Sequence, residues 1–410
     1  MKVISDAKGA TAGTSQPLRG ESIVYFGPEP WDGLWRNRHQ LMSRLARYNK
    51  VLYVEPPIMD LKKREVRRLA AGSADTSIFI DGLARVAPQL TVLRAPSWLP
   101  FIGKHPLNHL KGIVWRRILR RTLRKLDMQR PVVWLSRPSM VDMLNVLGEK
   151  LSIYHVVDEY SGYGGVSESA KTELIEQEKL LLTEADLTIV VSKPLLASKR
   201  DDAKRIEMVA NAVDYEAYRP RVAPDTADIP EDLASIPRPI IGYSGLVGRR
   251  LNLEMLAKLA SRRSDLSFVL VGAVRRDNCE EILEKLESLR NVYFLGLKSI
   301  IEIAGYVRSF DVCMVPYRYD ERAENASPLK LYEYAAAEKP IVTSRFSAAE
   351  EMKDIAMIAA DAIAFENSID EALVWPATHA RIVAGANMAR ENTWDHRVRQ
   401  VENIISDFLK

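Results

Sequence analysis

The chain has 410 residues, 47% apolar and 27% charged, enough to fill the cores of two ordinary domains and too apolar for disorder of the whole. Lys and Arg number 58 against 54 Asp and Glu, and the net charge of +4 is too small by itself to imply a polyanionic partner. The two cysteines, Cys279 and Cys313, exclude a disulfide framework, lack the clustered partners of a zinc site, and read as small apolar fillers in a reducing compartment.

Residues 1–20 carry no apolar core of a secretory signal and are expected to be a weakly ordered lead-in. No run of 18 or more apolar residues occurs, so no bilayer-spanning helix is expected. From there, short apolar runs alternate with longer amphipathic stretches, the pattern of βα units around parallel sheets. Strands are expected at Ile23 to Phe26, Val51 to Glu55, Leu90 to Leu93, Val132 to Leu135, Ile153 to Val157 and Leu187 to Val191. Helical spacing between them marks Asn37 to Tyr48, Leu107 to Leu126, Ser139 to Leu147 and Ser167 to Glu184.

Around Pro220 to Pro239 the composition turns to Pro, Asp and Ala, which marks a linker. The rhythm then restarts, with strands expected at Ile240 to Tyr243, Phe268 to Val271, Val292 to Leu295, Val312 to Val315, Ile341 to Thr343 and Met357 to Ala359. The expected organisation is therefore a doubly wound α/β domain over 21–215, a linker over 216–238, a second such domain over 239–390 and a terminal helix over 391–410. Doubly wound sheets take ligands beyond the carboxyl ends of their strands, so a cleft between the two is the expected site.

The segment Asn325 to Val342 (NASPLKLYEYAAAEKPIV) runs from a strand end through a helix into the next strand. Ser327 as N-cap and Pro328 as first helical residue would leave backbone N–H groups and the positive helix end free for a phosphate. Lys330 and Glu333, three apart, project from one helix face; the cation suits a diphosphate and the carboxylate suits ribose hydroxyls. An ordinary surface helix with an unremarkable Lys and Glu is the plain alternative. The run Ile241 to Asn252 (IGYSGLVGRRLN) is a strand entering a glycine-containing loop, where Gly245 and Gly248 let backbone approach phosphate and Arg249 or Arg250 supplies charge-assisted hydrogen bonds.

The stretch EYAAAEKPIV resembles the E-x-x-x-x-G-K-P-V-V segment of GT-B glycosyltransferases. The resemblance implies two Rossmann-like domains facing a cleft, a nucleoside-diphosphate-sugar donor in the second, Glu333 on the donor ribose and Lys330 on its diphosphate. Phe268 to Gly272 and Val292 to Leu297 resemble the family's strand ends, which implies Leu297 beside the nucleotide base. Val209 to Asp214 (VANAVD) is similar to the family's N-G-V-D, and Trp394 to Leu409 to its closing helix, which crosses back to the first domain. Two positions depart from the pattern: Asn325 stands where retaining members carry Glu, and Glu338 stands where the family carries Gly.

In the first domain, Tyr25 to His39 (YFGPEPWDGLWRNRH) crowds aromatic, acidic and basic residues into one loop. Trp31 or Trp35 is a stacking surface for an acceptor sugar, with Asp32, Arg36 or Arg38 on its hydroxyls, unless one Trp simply packs under the helix. Asp158 follows a buried run and is placed to deprotonate an acceptor hydroxyl, with Asp32, Glu159 and His155 as rivals. The segment IYHVVDEY is similar to the Y-x-x-x-D of the xanthan glucuronosyltransferase and teichuronic-acid-type enzymes, which implies Asp158 as base.

The expected activity is inverting transfer of a hexose from a nucleoside-diphosphate sugar to a saccharide or lipid-linked saccharide, in assembly of a bacterial surface polysaccharide or exopolysaccharide, with neither metal nor other cofactor required. A sugar-nucleotide epimerase of the same fold and a non-catalytic sugar-nucleotide-binding scaffold are the alternatives. Between Lys104 and Arg130 there are nine Lys or Arg against one acid, Asp127, interleaved with apolar residues at helical spacing. A second basic run covers Leu61 to Leu69. These predict peripheral attachment to an anionic membrane on its cytosolic face, with Trp115 at the interface, and no nucleic-acid partner.

Overall fold

The computed structural model describes residues 18–32, 35–56, 82–94, 108–160, 167–221, 229–319, 327 and 329–410. The first half forms an eight-stranded sheet with spatial order β3-β4-β2-β1-β5-β6-β7-β8. Its strands are β1 (Ser22–Phe26), β2 (Lys50–Glu55), β3 (Leu83–Ala87), β4 (Leu90–Arg94), β5 (Val132–Leu135), β6 (Leu151–Val156), β7 (Leu187–Val190) and β8 (Ile206–Met208). All pair in parallel except β3, which returns antiparallel onto β4. The second half is a six-stranded, wholly parallel sheet in the order β11-β10-β9-β12-β13-β14. It comprises β9 (Ile240–Ser244), β10 (Ser267–Val271), β11 (Val292–Gly296), β12 (Val312–Val315), β13 (Ile341–Ser344) and β14 (Met357–Ala359).

Sheets covered on both faces need strands that are apolar throughout, and β1, β5, β6, β7, β9, β10 and β12 are buried at every position. Both sheets are doubly wound. The strand order reverses between β1 and β5 in the first and between β9 and β12 in the second, and crevices open at those switch points. The expected strands are all present, whereas β3 and β8 are additions: both are short edge strands, only partly buried, with no long apolar run to announce them. The stretch Ser139 to Leu147 is a 3-10 turn over Pro138–Met143 rather than an α-helix, since Leu144 is extended and Asn145 adopts φ 58°.

Helices α1 (Asn37–Leu45), α2 (Asn108–Lys125), α3 (Glu168–Glu184) and α4 (Lys193–Lys199) cover the first sheet, and the short α5 (Tyr215–Tyr218) and α6 (Glu231–Ala234) lie in the crossover. The second half adds α7 (Leu253–Arg262), α8 (Glu280–Glu287), α9 (Ile300–Ser309), α10 (Leu329–Ala336), α11 (Ser347–Glu350), α12 (Ala362–Leu373) and α13 (Ala380–Glu391). The last helix, α14 (Trp394–Leu409), returns to the first sheet and buries Trp394, Val398, Val401, Ile404 and Ile405 in a cluster with Ile23, Tyr25, Leu41 and Met42. Asp395 at its start pairs with Arg44 (3.2 Å) and Arg47 (2.6 Å) on and beside α1. On α2, Trp115 is fully buried against Val24, Phe26 and Leu52, which corrects its expected place at a membrane interface.

Among the described residues, several contacts tie the two halves. Val213 bridges to Thr393, Lys193 pairs with Glu351 at 3.0 Å, and Asn211 Nδ2 donates to the Ser327 carbonyl at 2.6 Å.

Candidate active site

The loops after β9 and β12 flank the crevice of the second sheet, and there Gly245 and Lys330 lie in close contact. Gly245 has φ 143°, and a Cβ on it would lie 2.5 Å from Lys330 Cε and 2.7 Å from Nζ. Only glycine fits at that contact. Lys330 is the second residue of α10, and its Nζ stands 5.3 Å from the Tyr243 ring centroid and 5.9 Å from that of Tyr317. Burial opposes its charge, but the Tyr243 and Tyr317 hydroxyls and the Glu333 carboxylate outweigh it, so the ammonium titrates above its usual value. Its partner on the same helix face, Glu333, is half-buried and hydrogen-bonded to the Tyr218 hydroxyl; burial raises its pKa against the pull of Lys330.

Of the two loop arginines, the structure brings Arg250 rather than Arg249 to this point. Arg250 lies with its guanidinium 4.7 Å from the Tyr317 ring, while Arg249 is exposed. Helix α10 begins at Leu329, so Ser327 sits two residues upstream rather than at the cap, and its carbonyl is what Asn211 holds. Asn325 and Pro328 lie outside the described residues. Leu297 follows β11 half-buried, two strands and so roughly 10 Å along the sheet from β9, whose end carries Gly245. That separation suits a ligand with a phosphate at one end and a flat ring at the other. At the far end of α10, Glu338 adopts φ 55°, held by hydrogen bonds from its N–H to Ala335 O (3.0 Å) and from Lys339 N–H to Tyr334 O (3.2 Å). These are the bonds of a Schellman cap, so Glu338 takes the left-handed conformation that glycine usually supplies.

Opposite, the loop after β1 is built on a closed network. Glu55 accepts from the Trp31 N–H at 3.0 Å, His39 Nε2 donates to the Trp31 carbonyl at 2.8 Å, and Tyr53 Oη donates to the Glu29 carbonyl at 2.7 Å. Trp31 packs inward, edge-on to Tyr53, whereas Trp35 stacks on His39 with its outer face open to solvent. Asp32 is half-buried beside them. Arg38 does not face an acceptor: it is buried and donates to Glu29 at 3.0 Å, which corrects its expected role to one of holding the loop. Across the cleft, Leu329 of α10 packs against the apolar cluster that contains Trp31.

Asp158 lies two residues beyond β6, half-buried, and its Oδ1 accepts from the Glu159 N–H at 3.1 Å. Strands β6 and β7 pair with His155 opposite Ile189, which puts Asp158 at the level of Ser192, where α4 starts. Two of the rival bases are elsewhere: the Glu159 side chain is buried in an ion pair with Lys199, and His155 is buried in the sheet with its ring 5.7 Å from that of Trp134. Tyr218 and Tyr317 escaped the sequence reading, since a tyrosine in a Pro-rich crossover, or just past a strand, announces nothing by its spacing.

Among the described residues neither His155 ring nitrogen has a hydrogen-bond partner, and burial lowers its pKa to about 4. His39 is lowered to about 3, by burial and then by the Arg38 charge. A depressed histidine pKa gives stability that is present above the unfolded value of about 6.5 and lost as pH falls toward the folded value. The chain should therefore melt at lower temperature at pH 5 than at pH 7. His155→Phe should remove about 2 kcal/mol of that loss, and equal acid sensitivity of the variant and the parent in thermal unfolding would refute the cause.

Residues 238–374 match the family described as glycosyl transferases group 1. A putative teichuronic acid biosynthesis glycosyltransferase, TuaH of Bacillus subtilis, is 27% identical over 190 residues, and that alignment spans 46% of each chain. Sucrose-phosphate synthase from Thermosynechococcus elongatus superposes with a TM-score of 0.71 at 16% identity, covering 95% of this chain and 99% of its own. HepE of Anabaena, solved with UDP and glucose, gives 0.69 at 14%, covering 94% and 100%. The chain has the GT-B fold of two Rossmann-like domains, and the part of it that matches the group 1 glycosyl transferases lies in its second half.

Proposed function

We propose that the chain transfers a hexose from a UDP-sugar to a hydroxyl of a saccharide acceptor during assembly of a bacterial surface or secreted polysaccharide. The observation that carries this is the seating of the Lys330 ammonium on Gly245, with Glu333 one helical turn away, at the switch point of the second sheet. Asp158 takes the proton from the acceptor oxygen, that oxygen attacks C1 of the donor sugar from the opposite face, and the C1–O bond breaks toward UDP with inversion. Lys330, Arg250 and the N–H groups opening α10 hold the diphosphate as it gathers charge, the role a divalent ion has in other transferases. The choice of UDP is supported by HepE, solved with UDP-glucose as well as with UDP and glucose, and the polysaccharide context by TuaH.

Calorimetric titration of UDP-, GDP- and dTDP-sugars tests this reading: a UDP-sugar, UDP-glucose first, should bind best. Glu333→Ala should weaken it by roughly tenfold for a lost charge-assisted bond to the ribose. Binding of none of them, or affinity indifferent to Glu333, refutes the donor site.

The reading extends to attachment at the cytosolic face of a membrane. No helix among the described residues is long and apolar enough to cross one. On α2, Arg117, Arg120, Arg121, Arg124 and Lys125 are exposed together, while Trp115, Leu119 and Leu123 pack inward. Each exposed cation near anionic lipid gains about 1 kcal/mol. Lys104 and the basic run Leu61 to Leu69 lie outside the described residues. Sedimentation with phosphatidylglycerol vesicles should carry the chain down at low salt and release it at high salt, whereas equal binding to neutral vesicles refutes electrostatic attachment.

A further inference from the structure

The turn that presents Asp158 is fastened from beneath by buried charge. Glu159 donates its N–H to Asp158 Oδ1 at 3.1 Å, and its own carboxylate turns inward to Lys199 Nζ at 3.0 Å. Lys199, the last residue of α4, also reaches Glu178 of α3 at 2.8 Å, and Glu178 in turn accepts from the Tyr154 hydroxyl of β6 at 2.9 Å. All three charged residues are at most 9% exposed. The next residue, Tyr160, is anchored as well, its hydroxyl donating to the Ser136 carbonyl at the end of β5 at 2.6 Å.

Such a cluster is a poor device for stability alone. Apolar side chains of the same volume would serve the core as well or better, because they avoid desolvating charge. What the cluster supplies is direction: it links α3, α4 and β6 to Glu159, whose backbone N–H holds the Asp158 carboxylate. A group acting on a proton in flight must be held to within a fraction of an ångström.

We propose that Lys199, through Glu159, is a positioning residue for Asp158, setting the carboxylate where an acceptor hydroxyl arrives. The proposal rests on the reading of Asp158 as base. The full-length triple variant Lys199→Met/Glu159→Gln/Glu178→Gln removes the charges while keeping volume and an acceptor for Tyr154. With UDP-glucose as donor and UDP release as the readout, its kcat should fall roughly ten- to a hundredfold while KM for UDP-glucose stays within about twofold. A folded triple variant with parental kcat overturns the proposal, as does a loss shared equally between kcat and KM. Should the triple variant fail to fold, Glu159→Gln alone decides by the same split at an unchanged melting temperature. Asp158→Asn separates the two readings: full turnover there refutes the base itself, while an inactive Asp158→Asn beside an unaffected triple variant refutes only the positioning.

Discussion

Replacing Asp158 with Asn is expected to leave UDP affinity unchanged and to lower turnover by about 10²–10⁴-fold, the range for loss of a general base. Asparagine keeps the size of the side chain and an oxygen for the Glu159 N–H, so the turn should survive. An amide oxygen cannot hold the acceptor proton at neutral pH, and the attacking hydroxyl then has nowhere to send it. Two of the alternatives named from the sequence do not stand in, because the Glu159 carboxylate is committed to Lys199 and His155 lies inside the sheet; the third, Asp32, is tested by the same measurement on Asp32→Asn. Turnover within a few-fold of the parent, measured as UDP release at saturating donor and acceptor, would remove Asp158 from the chemistry.

The second large effect is expected at Lys330. Its ammonium sits against Gly245 and between Tyr243 and Tyr317, so it is ordered before a donor arrives, and preorganised charge is what lowers the barrier as the diphosphate departs. Lys330→Ala should lower kcat by about 10²–10³-fold, by comparison with removal of a single oxyanion donor elsewhere, and should weaken UDP in calorimetry. Lys330→Arg should not restore it, because the guanidinium is broader than an ammonium and the Gly245 backbone leaves no room. An arginine variant with parental kinetics would show that charge alone, without this fit, is what the site requires.

The places of both residues follow from the sequence, because parallel strands of α/β sheets are written as buried apolar runs: Asp158 lies two residues past one such run, and Lys330 opens the helical segment between two others. Val132–Leu135, Val312–Val315 and Met357–Ala359 have the limits expected of them. What the sequence hides is partnership. Nothing near Arg38 says that Glu29 will take it, since charges nine residues apart meet only once the loop has closed. Likewise Arg249 and Arg250 are equivalent in a string, and only the cross-link from Leu251 to Tyr317 shows that Arg250 is the one brought beside that ring. The basic helix misled at Trp115 because its apolar residues were more numerous than one buried stripe needs, and the sheet claimed the tryptophan. The departure at Glu338 proves conformational: the cap geometry survives with glutamate in the left-handed position, so that residue is no argument against activity.

The return of the last helix to the first sheet fixes an order of assembly. Five of its side chains complete a core that includes Ile23, Tyr25, Leu41 and Met42, more than 350 residues earlier in the chain. Growing from the ribosome, the first sheet therefore waits, with that face uncovered, until residues 394–409 have emerged, while the second sheet draws only on residues that precede them and can close first. The half made first is the half finished last.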